Sequence, residues 1–278
     1  MDGPDSAEAR ADVTAAVAAL GRTSACCATD EAGTECLLFS DDALPAELFG
    51  AFSSDSNLSL GGVAPDQLLI TQSFAAGGCH GQPAVLWNPA VALARAWYAP
   101  CHAEALGLPT ALFGKRILEL GAGLGVCALT VAALGAREVV ATETEPALHA
   151  LRASIARNSH SRSHDRISVT ELTWGVGAEG AALGSIRFDA VMGTDLLYAP
   201  SLHAPLLATL GRVVTPNATT LILAYETRGG EEAFFEAAER ELGVVGEHHV
   251  LDGRNGLNDD MDDDRFSQSR IFVGKRIA

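Results

Sequence analysis

The sequence predicts an α/β protein built on a doubly wound, mostly parallel β-sheet. Apolar runs of strand length alternate with helical patterns over about 130 residues, which is typical of a parallel sheet with helices on both faces. One of these runs, Arg116–Leu120, ends in a glycine-rich turn that opens directly into a helix. Two apolar segments after the last predicted helix indicate an antiparallel hairpin at one edge of the sheet.

Capping and breaking residues set the order of the predicted elements. Asn88-Pro89 joins a helix-capping residue to a proline at the first helical position. Gly135 stands where a left-handed helix end is expected, and Pro146 begins the next helix. The predicted strands are 116–120, 138–142, 167–172, 188–193, 220–225, 247–251 and 270–274, and the predicted helices after the first are 124–134, one from 146, 201–210 and 231–242.

The chain divides into two predicted parts. Residues 1–80 form an N-terminal extension, in which an alanine-rich acidic leader precedes loops and short apolar pieces at 37–39 and 68–70. Residues 81–278 contain the alternating strands and helices and form the predicted main domain. Hydrophobic residues make up 48% of the chain, which is enough for a sizeable core.

The charge limits the partners that we expect. A formal net charge of −16 argues against nucleic acid, because phosphate binding needs a basic surface. It is compatible with a basic protein partner. No apolar run approaches the ~20 residues that a membrane helix needs, so we expect no membrane association.

Cysteine usage bears on the compartment and on metal binding. None of the six cysteines forms a C-x-x-C pair, which favours free thiols in a reducing compartment. No basic secretory segment opens the chain. We therefore expect a cytoplasmic protein, with the nucleus as the alternative, and we expect no metal site.

The glycine-rich turn at 121–125 is the strongest candidate for a binding site. Such a turn lets a cofactor lie against bare backbone at a helix N-terminus. Its G-x-G-x-G spacing differs from the G-x-G-x-x-G of dinucleotide folds. Glu119 lies two residues before the first glycine. Its carboxylate would be poorly placed near a pyrophosphate but suits a cofactor with an ammonium or sulfonium group. A tight turn without a ligand is the plain structural alternative.

A second acid and two further segments are expected at the same edge. Glu143 ends the next apolar run, 18 residues after Gly125, where a carboxylate can accept hydrogen bonds from two ribose hydroxyls. The segments 172–175 and 194–198 also follow predicted strands. Because ligands of parallel sheets bind at the carboxyl ends of the strands, these segments are expected to converge on one nucleoside site.

Four segments carry motifs that can be compared with known families: LWNPA at 86–90, ILELGAGLG at 117–125, ELTWG at 171–175 and GTDLLY at 193–198. They resemble the motifs of family 16 of the class I S-adenosylmethionine-dependent methyltransferases, the seven-strand protein-lysine methyltransferases. The segment AYETR at 224–228 also fits the family's fifth strand and its trailing arginine. The resemblance implies a seven-stranded Rossmann-like methyltransferase sheet, S-adenosyl-L-methionine as cofactor, and a protein substrate that presents a lysine.

The resemblance also implies roles for individual residues. Asp195 would bind and aim the acceptor amine, and Tyr198 would form an aromatic wall of the lysine channel. Glu143 stands where the family usually has Asp, and Thr194 stands where it usually has Ala or Ser. The residues expected to contact the cofactor are Trp87, Glu119, Gly121, Ala122, Gly123, Glu143, Trp174 and Thr194.

Other functions stay open at this point. An NAD-dependent oxidoreductase is disfavoured by the glycine spacing and by the lack of an evident Tyr-x-x-x-Lys motif. A non-catalytic module with the same fold is a second alternative, and a methyltransferase acting on arginine, histidine or a small molecule is a third. A role in packing alone is the alternative for three aromatic residues, Trp87, Trp174 and Tyr198. For Glu143 the alternative is an acid exposed to solvent at the end of a strand. The acidic run at 259–264 is either a solvated loop or a lip that attracts a basic substrate.

Overall fold

The structure is a computed structural model. It describes residues 26–29, 35–38, 70–71, 86–98, 100–158, 162–175, 182–251 and 269–277. The predicted leader at the start of the chain and the acidic run at 259–264 lie outside the described residues.

Ten strands are described, numbered here in chain order. Three belong to a small antiparallel sheet, and seven form the main sheet. The strands are β1 (Cys26–Thr29), β2 (Glu35–Leu38), β3 (Ile70–Thr71), β4 (Arg116–Leu120), β5 (Glu138–Glu143), β6 (Ile167–Glu171), β7 (Ala190–Thr194), β8 (Thr220–Glu226), β9 (Val244–Val250) and β10 (Ser269–Arg276).

The main sheet has the strand order β6-β5-β4-β7-β8-β10-β9. The five strands from β6 to β8 are parallel, and β10 runs antiparallel to both of its neighbours. The prediction of a doubly wound, mostly parallel seven-stranded sheet with a C-terminal antiparallel hairpin is therefore confirmed. The chain order reverses between β4 and β7, and ligands of open α/β sheets bind at such a reversal.

Six α-helices in the described residues cover the two faces of the main sheet. One apolar cluster packs α1, α3 and α4 on one face, and a second packs α5 and α6 on the other. Strand β4 alternates between them, since Ile117 joins the first cluster and Leu118 and Leu120 join the second. The helices are α1 (Asn88–Tyr98), α2 (Pro100–Ala105), α3 (Val126–Ala133), α4 (Glu145–Arg157), α5 (His203–Val213) and α6 (Glu231–Leu242).

Helix α3 begins two residues later than the predicted start at Leu124. Gly121, Gly123 and Gly125 have φ values of 57°, 54° and 74°, so the backbone stays left-handed at alternate residues through the turn. A right-handed helix cannot begin before the last of these residues. The sequence pattern did not reveal this because Leu124 has the apolar spacing of the helix.

The small sheet lies within the predicted N-terminal extension. Strand β2 pairs with β1 and β3, with Cys26 opposite Leu38 and Ile70 opposite Leu37. The apolar pieces predicted near residues 37–39 and 68–70 therefore overlap strands β2 and β3. The boundary at residue 80 between this extension and the main domain stays a prediction.

Within the described residues, no helix combines the length and the apolarity needed to cross a membrane.

A glycine pair in the β9–β10 hairpin offers a test of the fold. Gly246 lies opposite Gly274, and a Cβ added to Gly274 would stand 2.5 Å from both the Val245 carbonyl oxygen and Phe272 Cζ. We expect Gly274→Ala to lower the free energy of unfolding by about 1–3 kcal/mol, because the β9 backbone has to shift. Urea denaturation measures the change. Val250→Ala, at an exposed position of the same hairpin, should stay within about 0.5 kcal/mol of wild type. Equal stability of Gly274→Ala and wild type would refute this packing.

Candidate active site

Glu119 caps helix α3 from the neighbouring strand. Its side chain is only 1% exposed, and its Oε2 accepts a 2.9 Å hydrogen bond from the N–H of Ala128, the third residue of α3. A side chain directly before a helix usually accepts this bond, but Gly125 stands there and has none. The acid predicted as a cofactor ligand therefore also fixes the start of the helix that follows the glycine turn.

Burial makes the Glu119 carboxyl hard to ionise. Desolvation, with a smaller contribution from the charge of Glu143, raises its pKa to about 8 against the lowering effect of the Ala128 hydrogen bond. At neutral pH the free protein holds this group mostly in its protonated form. A cation placed beside it would favour the carboxylate, which is the behaviour expected of a partner for an ammonium group.

Glu143 joins the end of β5 to the glycine turn. Its Oε1 accepts a 3.2 Å hydrogen bond from the Gly123 N–H, and its Oε2 accepts a 2.7 Å bond from the Thr144 N–H. Burial raises the pKa of Glu143, and these hydrogen bonds work against that rise. Since each carboxylate oxygen has two lone pairs, Oε1 keeps capacity for another donor such as a ribose hydroxyl.

The glycine turn packs between two side chains, one from the segment after β6 and one from the segment after β7. A Cβ added to Gly121 would stand 3.2 Å from Trp174 Cζ2 and 2.7 Å from Leu196 Cδ2. The Gly175 N–H donates a 2.9 Å bond to Thr209 Oγ1, which fixes the segment after β6 on helix α5. The structure thus brings Trp174 to the glycine turn, as predicted for the cofactor site. Ala122 lies in the same turn, and its N–H donates to the Thr142 carbonyl at 2.9 Å.

The end of β7 carries the predicted acceptor residues. Thr194 is the last residue of the strand and lies opposite Ala224 of β8. Asp195 then turns left-handed, with φ of 55°, while its N–H still donates to the Ala224 carbonyl at 2.8 Å. Asp195 is 7% exposed, whereas Tyr198 is 45% exposed. Burial raises the pKa of the Tyr198 hydroxyl, and the charges of Glu143 and Asp195 add to the rise.

The carboxylate of Asp195 is engaged by an arginine that the sequence analysis left without a role. Both terminal nitrogens of Arg228 bind it, with Nη2 2.9 Å from Oδ2 and Nη1 bonded to Oδ1. Arg228 Nη2 also donates to Glu226 Oε2 at 2.8 Å. The available signal was a charged pair, Glu226 and Arg228, directly at the carboxyl end of a buried strand.

Trp87 lies beside this ion pair. The guanidinium carbon of Arg228 stands 5.9 Å from the centre of the Trp87 ring, within the range of a cation–π contact. The neighbouring Asn88 donates from Nδ2 to Glu226 Oε1 at 3.0 Å. Trp87, predicted to contact the cofactor, is thus tied to the acceptor residue Asp195 through Arg228.

The predicted residues therefore form two adjoining groups along the carboxyl edge. Glu119, Glu143 and Trp174 surround the glycine turn, and Asp195, Tyr198 and Trp87 lie toward β8. An ionisable buried acid, a carboxylate with a spare acceptor site and an aromatic ring beside bare backbone suit a nucleoside that carries an ammonium group. In the described part of the chain, no group of three or more His, Cys, Asp or Glu residues is arranged to hold a metal ion.

A cavity of about 810 Å³ lies elsewhere, between α6 and strands β8 to β10. Its lining includes Tyr225, Phe235, His248 and Phe272, and it contains none of the predicted site residues. Glu119 and Glu143 lie at the glycine turn and not in this cavity.

Comparison with known proteins bears on the family. The lysine methyltransferase family model matches residues 64–241. The protein N-lysine methyltransferase METTL21A of Danio rerio is 31% identical over 169 residues, which are 61% of this chain and 72% of that protein. The EEF1A lysine methyltransferase 3 of Mus musculus is 29% identical over 171 residues, which are 61% of this chain and 66% of that protein.

Other relatives are matched over a shorter part of their length. The protein-lysine methyltransferase METTL21E of Mus musculus is 31% identical over 52% of this chain and 55% of its own. Among solved structures, magnesium protoporphyrin IX methyltransferase from Synechocystis with bound S-adenosylmethionine has a TM-score of 0.45 and 15% identity, over 71% of this chain and 88% of that one.

The family model covers more than half of the chain, and the matched range includes the glycine turn and the end of β7. The chain belongs to the S-adenosyl-L-methionine-dependent lysine methyltransferase family.

Proposed function

We propose that this chain transfers a methyl group from S-adenosyl-L-methionine to the side-chain amine of a lysine in a protein substrate. Glu119 and Glu143 hold the cofactor in this proposal, and Asp195 and Tyr198 receive the lysine. The observation that carries it is the position of Leu196, the residue after Asp195: its Cδ2 would stand 2.7 Å from a Cβ added to Gly121. The segment that holds the acceptor residues therefore packs against the turn that is proposed to hold the cofactor.

The cofactor end of the site rests on two acids with different tasks. S-adenosyl-L-methionine supplies a methyl group bound to a positively charged sulfur. Glu119 pairs with the cofactor's ammonium group, which compensates for the burial of the carboxylate. Glu143 accepts hydrogen bonds from the ribose hydroxyls while the Gly123 and Thr144 N–H groups keep it oriented. Gly121, Ala122, Gly123, Trp174 and Thr194 complete the proposed contacts.

The acceptor end has to receive a neutral amine. The pKa of an unperturbed lysine lies about 3.4 units above pH 7, so its deprotonation at that pH costs roughly 4.6 kcal/mol. Asp195 is therefore assigned to binding: an amine N–H donates to its carboxylate, and the lone pair then points along the methyl–sulfur bond. The amine gives its proton to solvent before the transfer, so Asp195 need not act as a general base; the new nitrogen–carbon bond then forms as the methyl–sulfur bond breaks and S-adenosylhomocysteine leaves.

Tyr198 forms one wall of the lysine channel in this proposal. Its ring is partly exposed, as a residue at the mouth of a channel should be. An aromatic face attracts an approaching ammonium group and also packs against the lysine methylenes.

The partner that we propose is a basic protein. The names of the relatives include protein N-lysine methyltransferase and EEF1A lysine methyltransferase. The net charge of −16 supports a basic partner over an acidic one and disfavours nucleic acid. The proposal includes a cytoplasmic or nuclear location, where a buried free thiol such as Cys127 stays reduced.

One experiment tests this function directly. The enzyme is incubated with methyl-labelled S-adenosylmethionine and a cell lysate, and the labelled band is analysed by mass spectrometry. We expect the label on a lysine side chain, and the Asp195→Asn variant should label the same band more slowly. Label on arginine, histidine or a small molecule would contradict the proposed acceptor.

The first prediction concerns the choice of cofactor. S-adenosylhomocysteine at 100 times its dissociation constant should stabilise the fold by about 2.7 kcal/mol, and NAD should not. Glu143→Ala should weaken S-adenosylhomocysteine strongly in calorimetric titration, because the ribose loses its acceptor. Glu171→Ala, at an exposed position at the end of the next strand, is the matched control and should leave the affinity unchanged. Tighter binding of NAD than of S-adenosylhomocysteine would contradict the assignment of S-adenosyl-L-methionine as the cofactor.

The second prediction follows from the buried state of Glu119. Below about pH 8 the free protein must release the Glu119 proton when the cofactor's ammonium group binds. The affinity for S-adenosylhomocysteine should therefore rise from pH 6 to pH 8, by up to about tenfold per pH unit, and level off above. Glu119→Gln keeps the acceptor for Ala128 and should bind more weakly, with this part of the pH dependence gone. An unchanged pH dependence in that variant would remove Glu119 from the ammonium site.

The third prediction separates the roles of Asp195 and Tyr198. Asp195→Asn keeps the shape and should lower kcat/KM by at least about tenfold, or roughly 1.4 kcal/mol of transition-state stabilisation. Tyr198→Phe keeps the ring and should cost little, whereas Tyr198→Ala should be severe. Calorimetry with S-adenosylhomocysteine serves as the control, since none of these changes touches the proposed cofactor contacts. If Tyr198→Phe is as damaging as Tyr198→Ala, the hydroxyl and not the ring does the work.

A further inference from the structure

We propose that Arg228 is a positioning residue for methyl transfer: its guanidinium fixes the orientation of the Asp195 carboxylate and cancels most of its charge, so that the substrate lysine meets this carboxylate as a neutral amine. The inference rests on the proposed function, because it concerns the same acceptor group. It adds a residue to which the sequence motifs gave no role.

The ion pair has the geometry of a fixed support. Two terminal nitrogens of Arg228 face the two oxygens of Asp195, which is the bidentate arrangement that sets both distance and plane. The Asp195 side chain is 5% exposed, against 34% for Arg228, so the carboxylate is the buried partner. A lysine that enters from solvent therefore meets a carboxylate that is already paired.

Arg228 is itself held from three elements. Glu226, at the end of β8, accepts from its Nη2 at 2.8 Å. Glu231, at the start of α6, accepts the Arg228 backbone N–H at 2.7 Å. Trp87, before α1, lies under the guanidinium at 5.9 Å. Since the guanidinium is planar and restrained on several sides, little order has to be gained when substrate arrives.

The charge balance explains why such a support is useful. An uncompensated carboxylate within about 4–6 Å of an amine raises its pKa by about 1–3 units, and each unit leaves tenfold less neutral amine. The Arg228 charge opposes this effect of Asp195. Bidentate binding uses only two of about four acceptor positions on the carboxylate, so an amine N–H can still be bound and aimed.

Other titratable groups surround the pair and enter the pH dependence. In the described part of the chain these are Tyr198 after β7, Glu143 at the end of β5, Glu226 at the end of β8 and Glu231 at the start of α6. None of them is changed in the variants whose kcat profiles are compared, so their contribution is common to all of those profiles.

The test is the pH profile of kcat, which reports ionisations in the enzyme–substrate complex. The substrate is the lysate protein that the wild-type enzyme labels, purified after its identification. The rising limb of this profile is the range in which kcat increases with pH. In Arg228→Gln the rising limb should move to higher pH by about one unit or more, with kcat at pH 7 reduced about tenfold. Arg228→Lys keeps the charge without the bidentate geometry, so its limb should stay in place while kcat falls at every pH.

The double variant isolates the charge. In Asp195→Asn/Arg228→Gln both charges are absent, so the limb should return to the wild-type pH with a loss of kcat that is independent of pH. Asp195→Asn alone should have its limb at lower pH than the double variant. Arg240→Gln, in an exposed ion pair with Glu241 on α6, is the matched control and should leave the profile unchanged.

A measurement on the enzyme alone supports the kinetics. Ultraviolet titration, with Tyr198→Phe as the reference, gives the pKa of the Tyr198 hydroxyl with and without Arg228. Because this hydroxyl senses Asp195, its pKa should rise further when Arg228→Gln uncovers the carboxylate.

Three results would overturn the inference. The first is an unmoved limb in Arg228→Gln with kcat lowered equally at all pH values, the mark of a purely structural role. The second is a rising limb that stays at the higher pH of Arg228→Gln in the double variant. The third is a Tyr198 pKa that does not respond to Arg228. If the wild type labels no lysine, the proposed function fails and this inference fails with it; labelling of a lysine with an unmoved limb removes the inference alone.

Discussion

The left-handed glycine turn after β4 is the constraint on which the rest of the site depends. Gly121, Gly123 and Gly125 bring the chain from a buried strand into α3 with no side chain in the way. The space that a side chain at Gly121 would need is taken by Trp174 and Leu196, which follow β6 and β7, and the space at Gly125 is taken by Leu151 of α4. Because Gly125 offers no cap, Glu119 reaches the N–H of Ala128, and this bond holds an acid in the core beside the turn.

That arrangement concentrates carboxyl groups at one edge of the sheet. Glu119 and Glu143 come from adjacent strands, and the charge of Glu143 adds to the cost of ionising Glu119. Desolvation of this kind is costly for the free protein, and a bound cation would offset that cost. Asp195 is buried as well, but Arg228 supplies a cation from within the chain. In the proposed function the two ends of the site therefore treat their acids differently: Glu119 is left for the cofactor's ammonium group, and Asp195 is balanced by Arg228 before substrate arrives.

The fold could be predicted well because it depends on local patterns. Helix α6 has the predicted bounds, and the strands β4 to β8 lie where apolar runs end at polar residues. The convergence of Glu143 and Trp174 on the glycine turn followed from the rule that parallel strands end at a common edge. The start of α3 was misjudged, because backbone handedness at alternate glycines leaves no mark in the apolar spacing.

The contacts of the acceptor site could not be predicted in the same way. Asp195 and Arg228 are 33 residues apart in sequence, and their pairing depends on the register of β7 against β8 and on the left-handed backbone at Asp195. The hydrogen bond from Asn88 to Glu226 crosses 138 residues of sequence and requires α1 to pack beside β8. Such pairings are set by tertiary packing, so a motif can name the residues but not their partners.

A crystal structure of the protein with S-adenosylhomocysteine tests the central claim most directly. The account predicts the ligand at the glycine turn, with its ammonium group at Glu119, its ribose hydroxyls on Glu143 and its sulfur toward Asp195 and Tyr198. A ligand bound in the cavity between α6 and β8 to β10, or a ribose that does not contact Glu143, would contradict the account.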